Sequence, residues 1–308
     1  MAKKMVIAIN SVFLFFLIFG PILSQYAYYF NLLTLIFFYT SLSGAWNIIG
    51  GFGNQLFLGT PALLATGGYT AMFLAKHSLM HPLLGIWVGG LCAMVLALIT
   101  AFSLKLRGDF FAIATLCLSP TLYTIVWNTE ELGGVNGISI APDPMYNRTL
   151  FYYIFIITSI ILFLVSYIIR TSNFGLKLLA LGDNEDLARA TGINTFIIKL
   201  KTYLISAFFI GVLGGLYAYF NLCVTPAHIF DLTWALRVVL ICTLGGIGSL
   251  PGPIIGSFIY TMLEYYILSL LGTIYRIVAG SLIILIVLLR FRSSTIISHL
   301  KALAEKMR

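Results

Sequence analysis

The residue types that ordinarily carry covalent chemistry are few in this sequence, and none is spaced for it. Cys92, Cys117, Cys223 and Cys242 stand singly within apolar stretches. There is no CxxC and no Cys/His pairing, so neither a metal site nor a disulfide framework is indicated. His77, His81, His228 and His299 lack the spacing of zinc ligands. No GxxxxGKS/T run is present to cradle phosphates; the nearest glycine cluster, Leu244-Gly245-Gly246-Ile247-Gly248-Ser249, has no lysine and lies in apolar surroundings. A membrane-embedded enzyme would gather His, Asp or Glu at one face, and no such cluster appears. No catalytic residue and no metal ligand is therefore assigned, and the chain is not read as an enzyme.

One segment of mixed charge does stand out, Gly182-Asp183-Asn184-Glu185-Asp186-Leu187-Ala188-Arg189-Ala190-Thr191-Gly192-Ile193-Asn194. Asp183 can cap a helix whose first turn carries Glu185 and Asp186, where the helix dipole favours negative charge. Arg189 falls in the last turn and Gly192 is a ready C-terminal stop. The pattern predicts a helix of about two turns, which alone is unstable in water and must pack on something. Two readings follow. One is a solvated helix joining two larger elements. The other is a coupling helix, a lever by which another protein drives the rest of the chain, with Ala188 and Ala190 as a small face for close approach.

The elements that must hold this segment are read from composition. Of 308 residues, 60% are hydrophobic and only 9% are charged, and the mean hydropathy is +1.01. A soluble domain carries about 25% charged residues, so a soluble enzyme is excluded. With 24 Phe, 17 Tyr and 4 Trp, so is a disordered chain. The apolar runs are continuous and about 20 residues long, unlike the alternating segments of a membrane β-barrel. The fold class expected is all-α, a polytopic membrane helix bundle of ten spans near 5–23, 27–50, 56–75, 82–104, 110–128, 149–169, 202–221, 235–250, 253–271 and 274–289. Gly and Pro interrupt 56–75 and 235–250, which either span or re-enter. The apolar run after Lys3 and Lys4 is nearly span-length and lacks an A-x-A-like cleavage site, which reads as a retained first helix.

Ten spans with both termini inside place all but four of the 18 basic residues (Lys76, Arg148, Arg237 and Arg276) on the cytoplasmic side, as the positive-inside rule requires. The net charge of +8 then reflects topology rather than nucleic-acid binding. On this layout 1–308 is a single transmembrane domain, 170–201 its longest cytoplasmic loop and 129–148 its longest outer loop, with Glu130 and Glu131 in the latter.

Small-xxx-small pairs at Gly85/Gly89, Gly211/Gly215, Gly248/Gly252 and Gly252/Gly256 read first as close helix packing. Gly50-Gly51-Phe52-Gly53 and Gly245-Gly246-Ile247-Gly248 each end a span on the same predicted side, followed by Pro61 or Pro253. This is a weak internal correspondence of the kind transporters place along their pathway, and it makes Gly51, Gly53, Gly246, Gly248 and Gly252 candidate hinge or packing positions. Among intramembrane polar groups, Glu264 and Asn47 are pathway candidates; helix–helix hydrogen bonding is the alternative for Asn47, and a structural pairing for Glu264. Pro120 is expected to kink the fifth span.

Several stretches, in order over residues 42–265, resemble one family. Leu106-Arg107-Gly108-Asp109-Phe110-Phe111-Ala112-Ile113-Ala114-Thr115-Leu116 is similar to the LRGDYFAIxTL signature of the branched-chain amino-acid ABC importer permeases, in the LivM-like branch. Asn136-Gly137-Ile138 matches GxNGI, and Gly175 through Asn194 resembles the coupling segment GxxxxAIRDNExAARAxGIN. Ser206-Ala207-Phe208-Phe209, Gly211, Gly214-Gly215, Leu216-Tyr217-Ala218 and Pro226 follow, then Gly245 through Leu250, Gly252-Pro253 and Gly256 as LGGxGSxxGPxxG. Leu181-Gly182 departs from the family's Ile-Arg, which puts one basic ATPase contact in doubt.

The resemblance implies the permease subunit of an ATP-driven importer of branched-chain or related amino acids, working by alternating access in the inner membrane of a prokaryote. It implies a second homologous permease subunit, two cytoplasmic ATPase subunits that bind the ATP, and an extracytoplasmic solute-binding protein, with no cofactor in this chain. Asp183, Asn184, Glu185, Asp186, Ala188, Arg189 and Gly192 would form the ATPase-coupling segment. Relatives that handle urea or short amides, and an ion-coupled secondary transporter, are the alternatives.

Overall fold

The computed structural model describes residues 27–77, 81–106, 108–142 and 146–271. The spans expected at 5–23 and 274–289 lie outside them. Helix α1 (Ala27–Trp46) continues directly into a π-helical turn, Asn47–Phe52. The chain then runs without helix to α2 (Thr60–Lys76), where the expected third span began at 56. Helix α3 (Pro82–Ile99) ends in a tightened 3-10 stretch to Lys105. The expected fifth span is two helices, α4 (Asp109–Leu116) and α5 (Leu118–Trp127). The break falls at Cys117, because Pro120 offers no N–H to the carbonyl of Leu116 and its ring crowds it.

The outer-loop stretch after α5 carries two 3-10 turns and a two-residue strand, β1 (Ile138–Ser139). Helix α6 (Arg148–Thr171) turns sharply into α7 (Asn173–Asp183), followed by α8 (Glu185–Ala190) and α9 (Thr195–Asn221). The stretch expected as one loop, 170–201, is therefore mostly helical. Strand β2 (Cys223–Val224) pairs antiparallel with β1, Ile138 opposite Val224. Helices α10 (Pro226–Ile229), α11 (Thr233–Gly245) and α12 (Gly252–Leu271) complete the described chain. Two compact units divide at Ser257/Phe258; all packing below belongs to the first.

Among the described residues, six helical stretches are long and apolar enough to cross a membrane: 28–52, 82–105, 109–127, 148–171, 195–221 and 226–245. The chain is thus an all-α polytopic membrane protein. At 27 residues α9 is about 40 Å long, enough to reach from one membrane face to the other. It packs on α2 and α3 through glycines. A Cβ on Gly67 would overlap the carbonyl of Gly211, one on Gly214 the carbonyl of Leu64, and one on Gly211 the side chain of Ala93. Lipid supplies no hydrophobic drive for helices to associate, so backbone proximity of this kind is what holds them.

Helix α1 adds a second device. Ser41 Oγ meets Ser159 Oγ of α6 at 2.7 Å, and Ser159 Oγ donates to the Phe37 carbonyl at 2.9 Å. Thr40 Oγ1 meets Ser257 Oγ at 2.5 Å. Each hydroxyl also returns a hydrogen bond within its own helix, so the buried polar atoms are satisfied while they tie neighbours together.

The two packing regimes predict different tolerance. Gly67→Leu forces backbone apart and lowers the melting temperature of the detergent-purified chain, by an overpacking penalty of about 1–3 kcal/mol or more. Gly85→Ala, whose added Cβ finds its nearest neighbour at 3.4 Å, leaves it within a degree or two of the parent, about what ±0.5 kcal/mol allows. Thermal unfolding of the pair checks this.

Candidate functional site

The coupling segment is anchored more firmly than its charge pattern suggests. Asn184, not Asp183, caps α8: its Oδ1 accepts from the N–H of Asp186 at 3.0 Å and of Leu187 at 3.1 Å. Asp183 is the last residue of α7. Either residue type can cap; the end of α7 puts the extended backbone that a cap needs at Asn184, φ −157° and ψ 111°. The helix has six residues rather than two full turns. Gly192, at φ +84°, turns the chain out of it, with open space around the position where a Cβ would sit.

Glu185 faces the protein. Its Oε2 receives Lys199 Nζ of α9 at 2.7 Å, and its Oε1 receives Arg189 Nη2 at 3.2 Å. The Lys199 side chain is only 2% exposed, so Glu185 neutralises a cation withdrawn from water, where an unpaired charge is very costly. Ala188 is 3% exposed and also turned inward, which corrects the expectation that it offers a small face to a partner. The surface presented outward is made by Asp186, Ala190, Thr191 and above all Leu187, 66% exposed. Charge and small-residue reasoning passed over Leu187; an aliphatic residue amid four charged neighbours was the signal available.

From α7 and α8 a continuous set of contacts leads into the bundle. Asn54 Nδ2 donates to the Gly182 carbonyl at 3.0 Å. A Cβ on Gly182 would stand 2.7 Å from the Phe52 carbonyl. The departure from the family's arginine at 182 therefore has a local reason: glycine lets the end of α7 press against the π-helical turn. Leu178, buried, lies under Gly53. Arg170 at the end of α6 places its guanidinium over the Phe52 ring, 5.7 Å from the centroid, and Nη1 donates to the Gly248 carbonyl at 2.7 Å.

The π-helical turn meets the second glycine run there. Asn47, 1% exposed, uses both ends of its amide: Nδ2 donates to the Ser249 carbonyl at 3.0 Å and Oδ1 accepts from the Gly248 N–H at 2.9 Å. A Cβ on Gly51 would lie 2.7 Å from Gly248 N, and one on Gly248 would lie 2.9 Å from the Gly51 carbonyl. Gly246 and Gly248 have φ of +101° and +71°, which close a turn bonded by Ser249 Oγ to the Gly246 carbonyl at 2.7 Å. Gly252 packs back against that turn, and Gly53 against the Ile49 carbonyl. The two GGxG runs thus touch each other. Glu264 lies on α12, part-exposed.

The non-helical residues 53–59 enter the bundle from this junction. Phe57 packs on Tyr203, ring centroids 5.3 Å apart, eight residues and so about 12 Å into α9. Its carbonyl accepts from the Trp46 indole at 2.7 Å, and the Leu58 N–H donates to Thr115 Oγ1 at 3.2 Å. Side chains from α1 and α4 thus satisfy backbone that has no helix to do so. Among the described residues no group of three His, Cys, Asp or Glu could hold a metal ion.

Comparison with known proteins gives the family. The profile of the branched-chain amino acid transport system / permease component family matches residues 28–288. The high-affinity branched-chain amino acid transport system permease protein LivM of Escherichia coli (strain K12) is 29% identical over 255 residues, covering 71% of this chain and 59% of that protein. A probable branched-chain amino acid transport permease protein LivM of Methanocaldococcus jannaschii is 26% identical over 200 residues, 60% of this chain and 57% of that one. The corresponding LivH protein of Escherichia coli (strain K12) is 30% identical over 136 residues, 44% of each chain. The chain thus spans less than two thirds of the length of its LivM relatives. No solved structure matches it significantly. The chain belongs to the branched-chain amino acid transport permease family.

The ion pair beneath α8 sets an asymmetric expectation. Glu185→Ala strands the Lys199 charge and destabilises the chain by about 3–5 kcal/mol, whereas Glu185→Gln with Lys199→Met, which removes both charges, costs much less. A double-mutant cycle on thermal or denaturant unfolding checks it; equal losses in the two variants would contradict the pairing.

Proposed function

We propose that this chain is the membrane-spanning subunit of an ATP-driven importer of branched-chain amino acids, in which 170–201 is the cytoplasmic coupling segment and 129–148 faces outward. It lies in the inner membrane of a prokaryote with both termini inside, as the distribution of its basic residues supports. It pairs with a second permease of the same family, as LivM and LivH relatives in the same organism suggest. Two ATPase subunits bind the ATP, and an extracytoplasmic protein delivers the solute.

The observation that carries the coupling part is the unbroken set of contacts from Glu185–Ala190 to the glycine junction. Leu187 and Asp186 engage the ATPase. The Glu185–Lys199 pair makes α8 move as one body with the start of α9. The Asn54–Gly182 bond passes displacement of α7 to the π-helical turn, and the Asn47 clasp passes it to the loop between α11 and α12. The chain itself makes and breaks no covalent bond: it changes which membrane face its pathway opens to. For that it needs an element with two arrangements that ATP binding biases. A π-helical turn joined to a non-helical stretch is the element with fewest regular backbone hydrogen bonds, and so the one that rearranges at least cost.

The test is the complex reconstituted with its ATPases and binding protein. Leu187→Asp, at an exposed position, leaves membrane insertion and thermal stability of the chain unchanged. It is expected to cut solute uptake at least about ten-fold, the effect of losing one anchoring contact of about 1.4 kcal/mol, while ATP hydrolysis loses its stimulation by loaded binding protein. Normal uptake by this variant would remove the coupling assignment.

A further inference from the structure

A second feature lies at the other end of α9. The last turn of that helix, strand β2 and helix α10 enclose a recess of about 210 Å³. Its lining is divided. Tyr217, Asn221, Thr225 and His228 present polar groups, while Val224 and Ile229 supply an aliphatic wall. Asn221, at the end of α9, and His228, in α10, are exposed within the chain and so are open to water or a solute. Since α9 runs about 40 Å from Thr195 to Asn221, the recess is at the opposite end of the helix from the coupling segment.

The recess is built. Leu222 adopts φ +55°, a strained conformation for a residue with a branched side chain. It is held there by pairing of the next residues with the outer loop: Ile138 opposite Val224, Ser139 opposite Cys223, and the Ile140 N–H on the Leu222 carbonyl at 3.1 Å. A Cβ on Gly137 would overlap the Val224 carbonyl, so the Asn136-Gly137-Ile138 motif, which the coupling segment leaves unexplained, positions one wall of the recess. On the other side His228 stacks on Tyr217 with ring planes 2° apart and centroids 6.2 Å apart. Its carbonyl accepts from the Trp234 indole at 2.9 Å, and Arg237 lies over that indole, 5.2 Å from its centroid.

Charge completes the description. Asp231, three residues past His228, accepts from the Thr233 N–H at 2.9 Å, and Arg237 lies over the ring of Trp234, the indole that bonds the His228 carbonyl. A recess of one-solute size with an aliphatic wall and hydroxyl and amide groups, next to a helix start that carries an anion and a cation, Asp231 and Arg237, is complementary to a zwitterion with an apolar tail. We propose that this recess is the site where the permease first holds its solute, an α-amino acid with an aliphatic side chain, when the binding protein releases it. The site rests on the importer reading above, and it adds residues that reading does not name.

Cys223 also lines the recess and serves as a reporter without any substitution. In the reconstituted complex, its modification by a membrane-impermeant methanethiosulfonate is followed by peptide mass spectrometry, with the same peptide from the denatured chain as the reference for complete labelling. Saturating leucine is expected to slow modification of Cys223 several-fold, while isoamylamine, which lacks the carboxylate, does not protect it. Leucine uptake is measured in the same vesicles. Uptake with no protection of Cys223 overturns the site alone; no uptake of any branched-chain amino acid overturns the importer reading instead. Protection by urea or acetamide but not by leucine overturns the zwitterionic ligand. As a second measurement, Asn221→Ala, whose side chain bonds only the Tyr217 carbonyl of its own helix, is expected to raise the KM for leucine about ten-fold with the maximal rate kept. An unchanged KM counts against the site.

Discussion

Backbone that leaves a helix inside a membrane must find every hydrogen-bond partner within the protein, because lipid offers none. Here α1 gives way to a π-helical turn after Trp46 and α11 ends at Gly245, and the chain brings the two irregular stretches into contact. Asn47 serves both. Its amide belongs to the first stretch and satisfies a carbonyl and an N–H of the second, while Arg170 takes the Gly248 carbonyl from a third helix. The small residues follow from this arrangement: Gly51 and Gly248 approach within a distance that any side chain would prevent. The second stretch thus finds two of its backbone partners in the first, which is why the proposed coupling route runs through this contact.

On the proposed reading the coupling segment acts on that joint, and its packing makes it rigid enough to do so. A six-residue helix does not hold its shape alone. Here Asn184 caps it, Glu185 is clamped between Arg189 and a buried Lys199, and Ala188 fills the space beneath. Only Leu187 and its polar neighbours remain for a partner. Gly182 then sets the end of α7 directly against the Phe52 carbonyl, with the Asn54 amide bonded across the same contact. At the far end of α9 the same helix closes the recess around Tyr217 and His228, so the proposed solute site and the proposed coupling segment sit at opposite ends of one helix.

Much of this was legible in the residues themselves. Continuous apolar runs located α3, α6 and the C-terminal end of α9 closely, though α9 begins seven residues before the expected 202; Pro120 foretold an irregularity where α4 meets α5, and the two GGxG runs suggested a correspondence. What could not be read has physical reasons. Leu56, Phe57 and Leu58 are as apolar as the helix that follows, so hydropathy began a span at 56; their non-helical path depends on the Trp46 indole and Thr115 hydroxyl, remote in sequence. The choice between Asp183 and Asn184 as cap turned on where α7 stops, a matter of one residue. The inward turn of Ala188 depends on Lys199, which lies across a turn and in an apolar stretch that gave it no visible partner. Leu187 was hidden because charge, not exposed aliphatic surface, drew attention to the segment.

The central claim is that the Asn47 clasp carries motion from the coupling segment into the bundle. The most direct measurement replaces it with an isosteric apolar residue, Asn47→Leu, in the reconstituted complex, and records ATPase-subunit affinity, ATP hydrolysis and leucine uptake together. The account predicts unchanged ATPase affinity, since α8 is untouched, with hydrolysis continuing and uptake reduced by about ten-fold or more, as loss of two buried hydrogen bonds of about 1 kcal/mol each implies. Uptake equal to the parent's at equal hydrolysis would contradict it.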